Sequence, residues 1–396
     1  MSSENLIIRL LIVLFLTTGL PAQSDTAAVD DPLEPFRVEV EAVNVLVAVH
    51  DKETGRFVTN LSPQHFIVKE DGRHQRITNF APQTNLPLTY RVTLDDVPIH
   101  FMYERGKGPN PLPIILTHGW PWSFWDWKEA TRRLTDPAAF GGDPADSFDV
   151  IAPSLPGFGF STPLTVDGVQ TQWTADLWAT LMSDVLGYDR FAAAGGDFGA
   201  GISAQLGHKY GDRVVGIHVS IAPMLGGAGG SGTGTLEPGS LLGLRRTLDG
   251  PTSRLSRDDF EPDEQWCWDM MDDRWTTALA HVAVHITDPQ TFAYALHDSP
   301  VGLAAWLIEK RYNWSDNRGG PDQVPSRKFL LDLVSIYWFT ESYVTSARWY
   351  WHVFRTPWDR AHERTPAIEV PVGVPGFPRE MVFAPRKMVE GHDRHG

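Results

Sequence analysis

The sequence predicts an α/β fold: a mostly parallel sheet with helices on both faces, an inserted helical cap, and a small β-rich segment in front. Three observations predict it. Between Leu112 and Ile221, short apolar runs alternate with helical periods, the pattern of strand–helix units that build a parallel sheet. Residues 235–360 are aromatic-rich and helical by period, and Ile368 to Val374 then returns to a strand pattern, so the helical stretch reads as an insertion. Phe36 to Phe80 instead alternates with a period of two. The expected organisation is an export signal over 1–22, a β-rich leader over 23–86, the first part of the core over 87–224, a helical cap over 225–360 and a return to the core over 361–396.

A chain of 396 residues, 42% hydrophobic, can bury one large core and a smaller module. The net charge of −15, with no long basic run, argues against nucleic acid or an anionic membrane surface as a partner. Cys267 is the single cysteine, which excludes a disulfide framework and a cysteine-based metal site. At the N-terminus, Arg9 precedes the apolar run LLIVLFLTTGL, too short to span a bilayer comfortably, and Leu20-Pro21-Ala22 is a tolerable cleavage site. The expectation is export, with no other membrane association; an uncleaved anchor is the alternative.

The elements follow in order. Val43, Val45, Val47 and Val49 alternate with Asn44, Leu46, Ala48 and His50, Phe66 to Lys69 reads as a further strand, and Glu70-Asp71-Gly72 signals a hairpin. Pro82 to Pro87 reads as a junction. Tyr90 to Arg105 reads as a hairpin turning at Asp95-Asp96. Leu112 to Thr117 and Phe148 to Pro153 are continuous apolar strands of the buried kind. From Thr171 to Leu186, apolar residues recur every fourth position, and Gly187 ends the helix. Gly226 to Gly234 reads as a flexible connector, since no lysine-containing phosphate loop follows.

The chemistry centres on Phe191 to Ala200, FAAAGGDFGA. A short apolar strand runs into Gly195-Gly196-Asp197-Phe198-Gly199, and a helix then begins. Small residues at 195, 196 and 199 permit a tight strand-to-helix turn that holds its central side chain clear of the sheet edge. That centre is Asp197, a carboxylate at a helix N-terminus, needing no deprotonation to act as a nucleophile. A helix-capping aspartate in a Gly-rich turn is the alternative. His118-Gly119-Trp120-Pro121 follows another buried strand, and its main chain, with that of the elbow, can supply two oxyanion donors, Trp120 N–H and Phe198 N–H. His118 itself reads as structural, bonded to backbone.

HGWP, PGFGFS, GGDFG, HDSPVGLAAW, YWFTESYVTSARWY and VPVGVPGFPRE occur in the order and spacing of α/β-hydrolase-fold epoxide hydrolases, in the branch that includes the microsomal enzymes. The resemblance covers about Tyr90 to Glu390. It implies the α/β-hydrolase fold, a small apolar epoxide as substrate, and neither metal nor cofactor. It implies Asp197 as the nucleophile, Tyr350 as the cap tyrosine that hydrogen-bonds the epoxide oxygen, and Glu380 as the acid that orients a catalytic histidine. A second cap tyrosine, common in the family, is replaced near His281, which makes His281 a candidate cap contact. The strand-rich leader resembles the segment that precedes the A domain in bacterial proteins related to von Willebrand factor A. It stands where the family has an N-terminal helical segment.

The sequence also departs from the family. The hydrolytic histidine is expected about 25 to 30 residues beyond the acid, by resemblance, yet 16 residues follow Glu380 (396 − 380). His392 and His395 lie in VEGHDRHG with no strand leading to them, and are weak substitutes. The expectation is a chain cut short, one that forms an alkyl ester on Asp197 but hydrolyses it slowly. Trp122, where a small residue is frequent, either narrows the mouth or packs under the cap. Two other functions compete: a haloalkane dehalogenase, which uses the same aspartate elbow, and a non-catalytic exported binding protein. Phe198 beside the nucleophile and Tyr350 in the cap suit an oxygen leaving group rather than a halide.

Overall fold

The computed structural model describes residues 62–70, 73–77, 88–220, 257–278, 280–316, 325–356, 361–364, 366–377, 380 and 382–387. The export signal, the valine strand at 43–49, the Gly226–Gly234 connector, His392 and His395 lie outside the described residues. The chain divides into two compact units, Met1–Leu86 and Pro87–Gly396. In the first, β1 (Val68–Glu70) and β2 (Arg73–Gln75) pair antiparallel, with Glu70 opposite Arg73.

The second unit is built on a seven-stranded sheet. It comprises β3 (Leu88–Leu94), β4 (Val97–Glu104), β5 (Leu112–Thr117), β6 (Phe148–Pro153), β7 (Phe191–Gly195), β8 (Val214–Val219) and β9 (Val372–Gly373), in the spatial order β3-β4-β6-β5-β7-β8-β9. β3, β4 and β6 pair antiparallel, and all later neighbours are parallel. The β3–β4 hairpin closes tightly, with Leu94 opposite Val97. Asp95 and Asp96 both have positive φ, the left-handed backbone that a two-residue turn needs and that aspartate tolerates.

The parallel strands are buried, as their apolar runs require. Ile114, Ile115 and Leu116 of β5 and Val150, Ile151 and Ala152 of β6 are all in the core. α1 (Lys128–Thr135), α2 (Thr171–Thr180) and α3 (Phe198–Lys209) are the helices of this α/β core. In α2, the Gln170 side chain accepts the free Gln172 N–H at 2.6 Å. Beyond Thr180 its helical path widens to a π turn over Leu181–Val185 and ends before Gly187, which has positive φ. α3 is buried from Phe198 to His208, as a helix wedged against its own sheet must be.

The cap is helical: α4 (Gln265–Ala278), α5 (Ala280–Thr287), α6 (Pro289–Asp298), α7 (Pro300–Asn313), α8 (Arg327–Phe339) and α9 (Tyr343–Val353). The Ser299 and Ser326 side chains cap α7 and α8 by accepting the N–H of Gly302 and of Phe329. After the cap the chain re-enters the sheet as β9, parallel to β8. The chain turns back from β6 through α2 to β7, on the other side of β5. The carboxyl ends of β5 and β7 therefore flank the point where strand order reverses, the place where an open α/β sheet leaves a crevice.

Candidate active site

β5 and β7 deliver the two halves of the site. β7 ends at Gly195, and Asp197 follows with φ 54° and ψ −126°, a conformation strained for a residue with a side chain. The strain is accepted because the turn has no room to relax. A Cβ on Gly199 would run into the Thr117 carbonyl of β5, and one on Gly119 into the Asp197 carboxylate. The half-buried Asp197 side chain thus stands against the loop after β5.

Its Oδ1 accepts the Trp120 N–H at 3.0 Å, and the Phe198 N–H also bonds the carboxylate. Burial pushes the Asp197 carboxyl up to about 6, while these two backbone donors pull the other way. The carboxylate therefore rests in a cradle of two N–H groups at the start of α3, a geometry that stabilises negative charge on oxygen.

His118 locks this corner. Its Nε2 accepts the Leu155 N–H at 3.1 Å, so the proton sits on Nδ1, which donates to the Gly119 carbonyl at 2.8 Å. Burial lowers the ring's pKa to about 4, which keeps it neutral. Both nitrogens are occupied by main chain, and His118 ties the loop after β5 to the loop after β6.

α5 and α9 bring rings against Trp120 and Phe198, the residues whose amides hold the carboxylate. Tyr350 of α9 is 3% exposed, with its ring 4.8 Å from Phe198 and 6.0 Å from Trp120. Its hydroxyl is buried and has no hydrogen-bond partner among the described residues. Burial and the nearby Asp197 charge hold it far above the usual phenol range, so it is a neutral donor. The His281 ring lies flat on Trp120 at 5.0 Å and edge-on to Tyr350 at 5.4 Å. Trp349 anchors α9 by donating its indole N–H to the Pro156 carbonyl at 2.9 Å.

The structure thus brings Asp197, Trp120, Phe198, Tyr350 and His281 together. Glu380 is placed in the irregular segment after β9, where its N–H donates to the Phe377 carbonyl at 3.0 Å. Just beyond it, Phe383 packs into a small cluster with Cys267 and Met271 of α4. Trp122 packs under the cap, between Trp314 at 5.6 Å and the Arg311 guanidinium at 5.2 Å.

Sequence reasoning missed His285, Tyr343 and Tyr337. His285 is 4.7 Å from Trp120 and 4.9 Å from Tyr350, and its Nε2 meets the Tyr343 hydroxyl at 2.9 Å. Burial drops its pKa to about 3, with the Lys310 charge adding to the effect. The signal was available: His285 follows His281 by four residues, one helical turn on the same face, and Tyr343 precedes Tyr350 by seven. Among the described residues no group of three His, Cys, Asp or Glu could hold a metal ion. None of the described helices is long and apolar enough to cross a membrane.

Comparison with known proteins gives a concordant result. The family described as "alpha/beta hydrolase fold" matches residues 113–226, and "Epoxide hydrolase N terminus" matches residues 74–127. The second match covers the stretch where no N-terminal helical segment is legible; what it spans includes the β3–β4 hairpin and the Trp120 loop. A Stigmatella aurantiaca protein named "Putative epoxide hydrolase" is 37% identical over 301 residues, 76% of this chain and 61% of that relative. The chain thus spans about three fifths of that relative's length. "Epoxide hydrolase 1" of Oryctolagus cuniculus is 29% identical over 393 residues, 93% of this chain and 83% of the relative. Among solved structures, the juvenile hormone epoxide hydrolase of the silkworm Bombyx mori aligns with TM-score 0.61 at 26% identity, over 77% of this chain and 70% of that one. The Aspergillus niger epoxide hydrolase aligns with TM-score 0.56 at 26% identity, over 78% and 70%. The chain thus has the α/β-hydrolase fold, and in sequence and in structure it is similar to epoxide hydrolases.

Proposed function

We propose that this chain opens a small apolar epoxide by forming an alkyl ester on Asp197. The observation that carries the reading is the Asp197 carboxylate held by the Trp120 and Phe198 amides, with its charge acting on the buried hydroxyl of Tyr350, which is unbonded among the described residues. An epoxide has ring strain but a poor alkoxide leaving group. A carboxylate oxygen attacks a ring carbon, the carbon–oxygen bond breaks, and its electron pair goes to the ring oxygen. The Tyr350 hydroxyl hydrogen-bonds that oxygen and gives it a proton. His281, flat on Trp120 and edge-on to Tyr350, is the candidate second contact from the cap. The apolar rings that surround the carboxylate favour an apolar epoxide.

In the second half-reaction, water attacks the ester carbonyl, and the oxyanion forms between the Trp120 and Phe198 N–H groups. It needs a general base, which Glu380 would orient. His118 is spent on backbone and His285 on Tyr343. We therefore propose that ester formation outruns ester hydrolysis in this chain. His392 and His395 are the candidates for any residual hydrolysis. Export through the N-terminal apolar run belongs to the same proposal.

Intact-protein mass spectrometry after incubation with styrene oxide, with diol and halide release assayed in parallel, tests the reading. A single adduct that D197N abolishes supports it. Diol without any trapped adduct overturns the slow second half, and halide release from a chloroalkane in place of epoxide opening overturns the substrate class.

A further inference from the structure

The loop that carries the Trp120 amide is gripped from the cap by residues the proposed chemistry does not use. Asp126 closes a box within the loop: its Oδ2 accepts the Ser123 N–H at 2.9 Å, and the Ser123 hydroxyl accepts the Trp125 N–H at 3.2 Å. Its other oxygen, Oδ1, meets Nη2 of Arg311 from α7 at 2.9 Å. This ion pair is buried, with the two side chains 11% and 14% exposed. The guanidinium also lies over Trp122 at 5.2 Å and over Phe329 of α8 at 5.5 Å. A third hold comes from Tyr337 of α8, whose hydroxyl donates to the Trp122 carbonyl at 2.9 Å. Two cap helices thus fasten residues 122 and 126, and Trp120 is two residues away.

A buried ion pair is a poor way to gain stability, because desolvating both charges offsets most of their attraction. It does fix geometry, since a guanidinium has a rigid fork and each carboxylate oxygen accepts along set directions. Here the carboxylate is divided, one oxygen for the loop's own box and one for the cap.

We propose that Arg311 is a positioning residue for the active site: through Asp126 and Trp122 it fixes the loop whose Trp120 amide holds the Asp197 carboxylate. The inference rests on the proposed role of Asp197. It makes the cap a working part of the oxyanion cradle, so that seating of α7 and α8 on the core and alignment of the carboxylate are one event. Burial pushes the Asp126 carboxyl up, and the Arg311 charge is its largest counterweight; without Arg311 only the hydrogen bonds from Ser123 and from the Asp126 backbone still favour its charge. The carboxylate then protonates or swings toward water, and its hold on the Ser123 N–H weakens.

The test compares the full chain with R311M, R311K and Y337F, using amide hydrogen exchange of the 118–127 segment and the rate of styrene oxide adduct formation. In R311M, exchange in 118–127 is expected to quicken at least about tenfold, and the adduct rate at saturating epoxide to fall about 10- to 100-fold, the cost of misplacing a group by about an ångström. The half-saturating concentration should change less than about threefold, because the epoxide's own contacts remain. R311K should recover part of the rate. Y337F, which removes one hydroxyl, should show a milder form of both changes. Adding D126N to R311M should cost little more, since the two residues act as one unit.

Unchanged exchange and unchanged rate in R311M and Y337F would overturn the inference. So would a loss confined to the half-saturating concentration, which would mean that Arg311 shapes the pocket only. If R311M does not fold, R311K and Y337F decide on the same criteria. If the wild-type chain forms no adduct, the reading of Asp197 fails, and the exchange comparison still decides whether Arg311 positions the loop.

Discussion

Asp197 works against its surroundings. Its folded-state carboxyl is raised from 3.8 to about 6. A group raised in the folded state adds stability at low pH, and that stability is lost as pH rises through the folded value. At pH 8 the ionised carboxylate therefore costs about 3 kcal/mol, taking 1.36 kcal/mol per pKa unit. D197N, which removes the charge, is expected to raise the thermal midpoint at pH 8, with the gain shrinking from pH 6 to pH 4. Calorimetry at the two pH values checks this. Adduct formation should follow the same titration in the opposite sense, since only the ionised carboxylate attacks: its rate should fall as pH drops through about 6. Y350F should lower the adduct rate by about 100-fold or more, the usual worth of a positioned proton donor. A Y350F rate within threefold of wild type would remove Tyr350 from the chemistry.

The elbow, the hairpin and the Trp120 loop carry constraints that operate over a few residues, and these were the legible parts of the sequence. Asp95-Asp96, Gly195 to Gly199 and HGWP announce their turns because a left-handed backbone or a close approach restricts the residue type locally. G199A tests this reading. Its methyl group would meet the Thr117 carbonyl, and the loss should exceed about 3 kcal/mol by denaturant unfolding, in the range of severe core disruption. What stayed hidden depends on contacts between elements far apart in the chain. The Asp126–Arg311 pair joins residues 185 apart (311 − 126), and neither lies in a motif. Trp122 could not be assigned for the same reason, since its neighbours Arg311, Trp314 and Tyr337 come from the cap. The π turn at Leu181–Val185 also escaped notice, because an apolar residue at every fourth position does not distinguish it from a continuing α-helix.

At the scale of the whole molecule, the chain separates into units at Leu86–Pro87, and the proposed site residues all fall in the second. A chain of residues 87–396 is therefore expected to keep the near-ultraviolet spectrum of the full protein and to form adduct within about twofold of its rate, as an independent domain would. A loss beyond about tenfold would show that the first unit serves the site. The two margins of the seven-stranded sheet are unlike. On one side a long antiparallel hairpin closes the sheet, with β3 and β4 in register from Leu88 to Tyr103. On the other, β8 has six residues, and among the described residues β9 meets it at Ile217 and His218. Among the described residues, β8 has no strand beside it on that margin apart from this short contact with β9, the kind of edge that invites another strand. The consequence concerns the handling of the protein more than its chemistry: storage at high concentration should first produce cross-strand association there. H218K, at an exposed position of β8, is the change most suited to keeping solutions clear.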